Sequence, residues 1–312
     1  RLDKVDGFEK ISENLYLSNR YDMIGVFRNA WFIVSSTHPH ITIDDINRLK
    51  SYGFQIIYDY IDKNDRAIIG DNQLVFERHK ALNSSNTDLV ITTAKNLYDE
   101  MVMKFGKQKV VMIPNGVEIN DFIINKNMTK APSDLKRILE MNKPIIGYYG
   151  ALASWLDYKL INAVVKKNSQ FNFVFIGVEY DSSIGNLSKK ENVFYLGSKN
   201  YSEIPNYAQY FDVAIIPFKK GKIAKTTSPL KLYEYMASKK QVIVTEDMDE
   251  CRNYVGVYVS KNDKIDFSKN IKLALKNKDD RSLKAVLYRQ ASENTWEIRA
   301  KKMIEYLERP LK

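Results

Sequence analysis

Short apolar runs alternate with amphipathic stretches along nearly the whole chain. In the first half, W-F-I-V-S-S-T (31–37), Q-I-I-Y-D-Y-I (55–61), D-L-V-I-T-T (88–93) and V-V-M-I-P (110–114) have strand length. They are rich in β-branched and aromatic residues, as strands are. Helical spacing fills 43–52, 72–82 and 94–105 between them. The stretch 120–133 is polar and aperiodic and reads as a linker. The alternation then restarts, with strands expected at 145–149, 172–176, 193–196, 213–217, 242–245 and 255–259. Helices are expected at 156–167, 201–210 and 230–239, and two closing helices at about 266–276 and 281–307. Buried-looking strands with helices between them predict parallel sheets covered on both faces. The fold class is therefore α/β, with two Rossmann-like domains. The first is placed at 1–125, the second at 126–290, and a terminal helix at 291–312. Ligands of such sheets bind outside the C-terminal ends of the strands, so the two sheets are expected to face a cleft.

Composition narrows the chemistry. The 312 residues suffice for two cores, and hydrophobic residues make up 44%. A single cysteine, Cys251, excludes an internal disulfide, and three histidines leave little for a zinc centre; no metal site is expected. The net charge of +10 calls for an anionic partner: nucleic acid, anionic lipid or a phosphorylated substrate. The excess is mostly dispersed lysine without a recognition motif, which argues against nucleic acid. No apolar run approaches the length of a membrane span and no signal peptide is visible. The expected location is cytoplasmic, with the inner face of the cell membrane as an anionic surface for peripheral contact. The sequence opens at Arg1 rather than Met, which is expected either of a trimmed start or of a domain pair cut from a longer chain with further domains.

One segment combines charge with a helix start. T-T-S-P-L-K-L-Y-E-Y-M-A-S-K-K-Q-V-I-V-T runs from Thr226 to Thr245 and reads as a loop, a helix opening at Ser228-Pro229, and a strand. Lys231 stands in the first helical turn, where the macrodipole is positive and a cation is unfavourable. Lys219, Lys220, Lys222 and Lys225 crowd the approach. Such an arrangement suits an anion on the free N–H groups around Ser228, Leu230 and Lys231. Glu234 shares a helix face with Leu230 and Lys231, so phosphates on the amides and ribose hydroxyls on the acid fit a nucleotide. Read alone, the segment is more simply a lysine-rich surface helix that opens with Ser-Pro for capping.

Further residues carry a resemblance. I-P-N-G-V-E (113–118) resembles the strand-turn closing the N-terminal domain of GT-B glycosyltransferases, and N-V-F-Y-L-G (192–197) resembles their base-binding strand. S-P-L-K-L-Y-E-Y-M-A resembles the donor helix of glycosyltransferase family 4, and T-W-E-I-R-A-K-K-M (295–303) its terminal helix. The resemblance implies a retaining enzyme using a nucleotide-diphosphate sugar, with no metal and no cofactor. It places Glu234 as the second acid of the family's E-x7-E motif, on the ribose. Gly197 and Ser198 meet the base, and Gly150 opens the first loop of the donor domain. Three departures stand out. The first acid of E-x7-E falls on Thr226; the family's Arg and Lys fall near Ala151 and Trp155; and nothing before Trp31, save 14–17, offers the family's opening strand. Lys225 and Lys231 are the expected substitutes for the missing charge.

The first domain contributes S-S-T-H-P-H after a strand expected to be buried. His38 either contacts the donor sugar or phosphate, as the resemblance implies, or caps the next helix, with Pro39 setting the turn; His40 has the same alternatives. Asp59 and Asp62 end the next strand, where a carboxylate either orients and deprotonates an acceptor hydroxyl or satisfies loop amides. Trp155 either lines the cleft or is a buried aromatic at a helix start, and His79 reads as surface or packing. The expected activity is transfer of a hexose from a UDP- or GDP-linked sugar to a glycan or lipid-linked glycan acceptor in bacterial surface polysaccharide synthesis, such as O-antigen or capsule. Two rivals are a degenerate transferase domain serving as a binding or scaffold module, and a nucleotide-sugar epimerase.

Overall fold

In a computed structural model of the chain, residues 8–13, 15–18, 27–38, 40–82, 86–123 and 130–308 are described. The chain divides into two compact units, Arg1–Ile91 with Met101–Val111, and Thr92–Glu100 with Met112–Lys312.

The first unit begins with β1 (Phe8–Ser12) and β2 (Leu15–Ser18), an antiparallel pair in a sheet of their own. There follow β3 (Trp31–Ser35), α1 (Ile43–Ser51), β4 (Gln55–Tyr60), α2 (Arg66–Ile69), α3 (Gln73–Leu82), β5 (Leu89–Thr92), α4 (Lys95–Phe105), whose first half up to Glu100 is counted with the second unit, and β6 (Val110–Met112). The sheet order is β3-β4-β5-β6, with β3 and β4 parallel and Ser35 opposite Asp59. Two expectations change here. The candidate opening strand at 14–17 belongs to the separate hairpin, and Asn14 itself lies outside the described residues. The strand before His38 is also not fully buried. It forms the sheet edge, and of two successive residues on its opposite faces Val34 is buried while Ile33 is 48% exposed. The loop after β3 leads into α1, whose start is fixed by a capping box between Thr42 and Asp45.

The second unit holds α5 (Ser133–Glu140), β7 (Ile145–Tyr149), α6 (Tyr158–Lys167), β8 (Asn172–Ile176), β9 (Val193–Tyr195), α7 (Ile204–Ala208), β10 (Val213–Ile216), α8 (Lys222–Thr226), α9 (Leu230–Ala237), β11 (Val242–Thr245), β12 (Val257–Ser260), α10 (Lys264–Lys276), α11 (Arg281–Ser292) and α12 (Trp296–Leu307). Its sheet is parallel, ordered β12-β11-β10-β7-β8-β9. All residues of β7, β8, β10 and β11 are buried, which is why these strands read as unbroken apolar runs. Strand order reverses between β7 and β10, and a doubly wound sheet opens a crevice at that switch point. Gly147, in the middle of β7, lets the Phe211 ring lie flat against the strand; a Cβ there would sit 2.1 Å from it.

Several boundaries differ from expectation. Thr226, expected in a loop, ends α8. Helix α6 starts at Tyr158, because Leu156 is bridged to Phe218 and Asp157 caps the helix. The expected helix at 201–210 is split into a tight turn, Tyr201–Glu203, and α7, with Pro205 near the break. The last expected helix is two, since Thr295 bridges Val117 and then caps α12 through its side chain. Arg299 Nε donates to the Asn115 carbonyl at 3.2 Å and Lys302 Nζ to that of Met112 at 2.8 Å, tying α12 to the segment 112–117. Within the expected linker, Ile119–Phe122 forms a turn that buries Phe122, and 124–129 lie outside the described residues. Among the described residues, no helix is long and apolar enough to cross a membrane.

Candidate active site

At the C-terminal ends of β7, β8 and β9 the loops are tied to one another through their backbones. The amide of Gly150 donates to the Ile176 carbonyl, and that of Gly177 to the Gly197 carbonyl, both at 2.9 Å. Gly150 (φ +130) and Gly177 (φ +146) adopt backbone that side chains resist. A Cβ on Gly177 would stand 1.9 Å from the Gly150 oxygen, so this close approach of two loops requires glycine.

Beside these loops lies a cavity of 310 Å³ wholly within the second unit. Tyr149, Gly150, Gly177, Ser198, Lys199 and Tyr201 contribute from the strand ends; Leu230, Lys231 and Glu234 contribute from α9. Helix α9 is buried from Leu232 to Ala237, and Pro229 precedes it without a side-chain cap. Its first N–H groups therefore lack the usual capping oxygen. Lys231 reaches back over Gly150, where a Cβ would meet its Cε at 2.8 Å. Its ammonium lies 5.4 Å from the Tyr148 ring and 5.6 Å from that of Phe218. Glu234, only 1% exposed, accepts a hydrogen bond from the Tyr201 hydroxyl at 2.6 Å. Burial pushes its carboxyl above the usual range, against the opposing pull of Tyr201, Tyr149 and Lys231. Lys199 is held at 2.8 Å by Asp134.

Of the expected donor residues, this cavity collects Gly150, Ser198, Leu230, Lys231 and Glu234. Gly197, whose carbonyl accepts from the lining residue Gly177, and Ser228, Lys225 and Thr226 do not line it. The Thr226 hydroxyl donates to the Lys222 carbonyl at 2.7 Å, inside α8. The threonine therefore does not present a polar group in place of the acid. Lys225 points at Asp247, 4.0 Å away, and its carbonyl accepts from Asn96. Ser228 is buried and bonded to Asn115: its carbonyl accepts from Asn115 Nδ2 at 2.6 Å. Trp155 packs on Tyr180 with ring centroids 5.1 Å apart, the ordinary aromatic role at a loop before a helix.

The first unit gathers a second set of groups. His38 Nδ1 accepts from the amides of His40 and Ile41, each at 3.3 Å, so its ring braces its own loop and leaves Nε2 to carry the proton. Burial, then Arg78, then His40 hold its pKa low, which keeps it neutral. Pro39 lies outside the described residues. Asp59, at the end of β4, has its carboxyl raised to about 6 by burial and by Asp62. Under this edge lies Arg78, which is fully buried and donates at 3.0 Å to the carbonyls of Ile41 and Ser36. His79 packs against Tyr58 and Tyr60 and pairs with the Tyr58 hydroxyl.

Sequence reasoning missed Arg78, Tyr201 and Lys199. A charged residue in a helical pattern reads as surface, and a tyrosine opening a turn reads as packing. No sequence signal marks either as buried or as part of a cavity.

Comparison with known proteins gives this geometry a family. The profile of the group 1 glycosyl transferases matches residues 132–294, just over half of the chain. A Bacillus subtilis (strain 168) protein, TuaH, named by inference as a teichuronic acid biosynthesis glycosyltransferase, is 28% identical over 268 residues. That alignment covers 81% of this chain and 66% of the relative, so the chain spans about two thirds of that relative's length. In fold, the chain is similar to HepE of Anabaena, solved in complex with UDP, at TM-score 0.67 and 15% identity, over 92% of this chain and 80% of that one. It is also similar to the sucrose-phosphate synthase of Thermosynechococcus elongatus, at TM-score 0.63 and 15% identity, over 84% and 69%. Two Rossmann-like units with parallel sheets give the chain the GT-B architecture of these neighbours. By its sequence profile, and in keeping with this fold, the chain belongs to the group 1 glycosyl transferases.

Proposed function

We propose that the chain transfers a hexose from a nucleotide-diphosphate sugar, UDP-linked in our reading, to a glycan or lipid-linked glycan, with retention and without a metal. One observation carries the donor half. The start of α9, Lys231 and Glu234 converge on one cavity at the topological switch point of the second sheet. In this reading the diphosphate lies against the first amides of α9 with Lys231 as its counter-charge, and Glu234 takes the ribose. Lys231 thus replaces the basic pair whose place is taken near Ala151 and Trp155. Glu234 is the second acid of a family 4 motif whose first position, Thr226, is turned inward. HepE, whose fold is similar, was solved with UDP-glucose, which supports a uridine donor. The relative named for teichuronic acid biosynthesis supports an acceptor among bacterial surface polysaccharides.

His38 and Asp59 are assigned to the reaction as a neutral hydrogen-bond donor and an acceptor-side carboxylate. A preorganised Nε2–H suits charge developing on a leaving diphosphate, and a carboxyl titrating near 6 suits a group that orients a hydroxyl. The degenerate-module reading draws on Thr226, whose hydroxyl is spent inside α8. Release of UDP separates the two. With UDP-sugars and surface-glycan acceptors, the chain is expected to release UDP and to yield a glycan heavier by one sugar. Tight UDP binding with no release from any donor would replace the transferase reading by the module.

A further inference from the structure

Glu234 is assigned to the ribose, yet its carboxylate is already engaged. Its Oε1 accepts the Tyr201 hydroxyl at 2.6 Å, and the residue is 1% exposed although it lines the cavity. An ionised carboxylate offers acceptor sites on both oxygens, and a ribose diol presents two donors to them. At 1% exposure the diol cannot reach those sites unless a covering group moves. Two tyrosines adjoin the acid. Tyr149 is 4% exposed and its backbone N–H donates to the Tyr235 hydroxyl at 3.0 Å, so it is fixed in the core. Tyr201 is 48% exposed, begins a one-turn helix after β9, and touches Phe122 only edge-on at 6.3 Å.

We infer that the Tyr201 phenol competes with a ribose hydroxyl for Glu234, so that Tyr201 sets how strongly the site reads the ribose. This rests on the nucleotide reading above. The competition has a signature that a static contact lacks. A nucleoside missing the competing hydroxyl leaves the Tyr201–Glu234 bond intact, so the wild-type chain discriminates weakly against it. Without the phenol, the same nucleoside leaves the buried carboxylate short of a partner, and discrimination rises.

The test is calorimetric titration of UDP, 2′-deoxy-UDP and 3′-deoxy-UDP into the wild-type chain and Tyr201→Phe, read as a double-mutant cycle. Removing the phenol keeps the ring and its edge contact. UDP is expected to bind Tyr201→Phe about three- to tenfold tighter, the size of one net hydrogen bond. The penalty for at least one deoxy analogue is expected to grow by a similar factor. UDP that binds Tyr201→Phe no better than wild type, or a penalty that does not grow, would overturn the competition while leaving the nucleotide reading in place. Failure of the wild-type chain to bind UDP at millimolar concentration would remove the nucleotide reading and this inference with it.

Discussion

Lys231→Ala separates a ligand-binding role from a structural one, because the two predict opposite effects. In the first turn of α9 the ammonium opposes the helix macrodipole, at a cost of about 0.3–1 kcal/mol. Its approach to the Tyr148 and Phe218 rings, at 5.4 and 5.6 Å, returns about 0.5–1 kcal/mol. The two nearly cancel, so the substitution is expected to shift folding stability by less than about 1 kcal/mol. Binding differs, since a charge-assisted contact to a diphosphate contributes about 1.5–3 kcal/mol. UDP affinity should therefore fall about 10- to 150-fold, while uridine, which lacks the phosphates, changes less than about twofold. The gap should narrow as salt is raised, because the lost term is ionic. Melting curves and titrations of UDP and uridine at low and high salt measure all three quantities. Equal weakening of UDP and uridine, or a large fall in melting temperature with no selective effect on UDP, would refute the phosphate role.

Two further substitutions test the surroundings. The Asp59 carboxyl rises from 3.8 to about 6, so the folded chain keeps a proton that the unfolded chain has released. The resulting stabilisation is fully present below the unfolded value and is lost as pH rises through about 6. At about 1.36 kcal/mol per pH unit the loss approaches 3 kcal/mol as an upper bound. Asp59→Asn is therefore expected to melt above wild type at about pH 7.5 and level with it at about pH 4; a lower melting temperature at the higher pH would contradict the account. Gly150→Ala forces a side chain onto φ +130 and to within 2.8 Å of Lys231 Cε. It is expected to cost about 1–3 kcal/mol of stability and to weaken UDP binding through the displaced lysine; unchanged affinity would mean that Lys231 does not need this path.

Much of the second unit was legible because its strands are buried on both faces and read as unbroken apolar runs. The donor segment was legible because a lysine in a helix's first turn conflicts with local electrostatics, and such conflicts mark functional positions. Other features depend on distance in space. The division of the last helix follows from the pairing of Thr295 with Val117, residues far apart in sequence. The Tyr201–Glu234 bond joins an exposed turn to a buried helix face, and neither residue announces the other. Arg78 looked like a surface charge because its partners are carbonyls of a distant loop. The edge position of β3 depends on which strand stands beside it, which apolar content alone does not encode.

The most direct test of the donor site is calorimetric titration of UDP into the chain and into Glu234→Ala. Saturable binding to the wild-type chain is expected, with an affinity lower by about 1–3 kcal/mol in the variant through lost hydrogen bonds to the ribose. No binding at millimolar UDP, or equal affinity in both proteins, would contradict it.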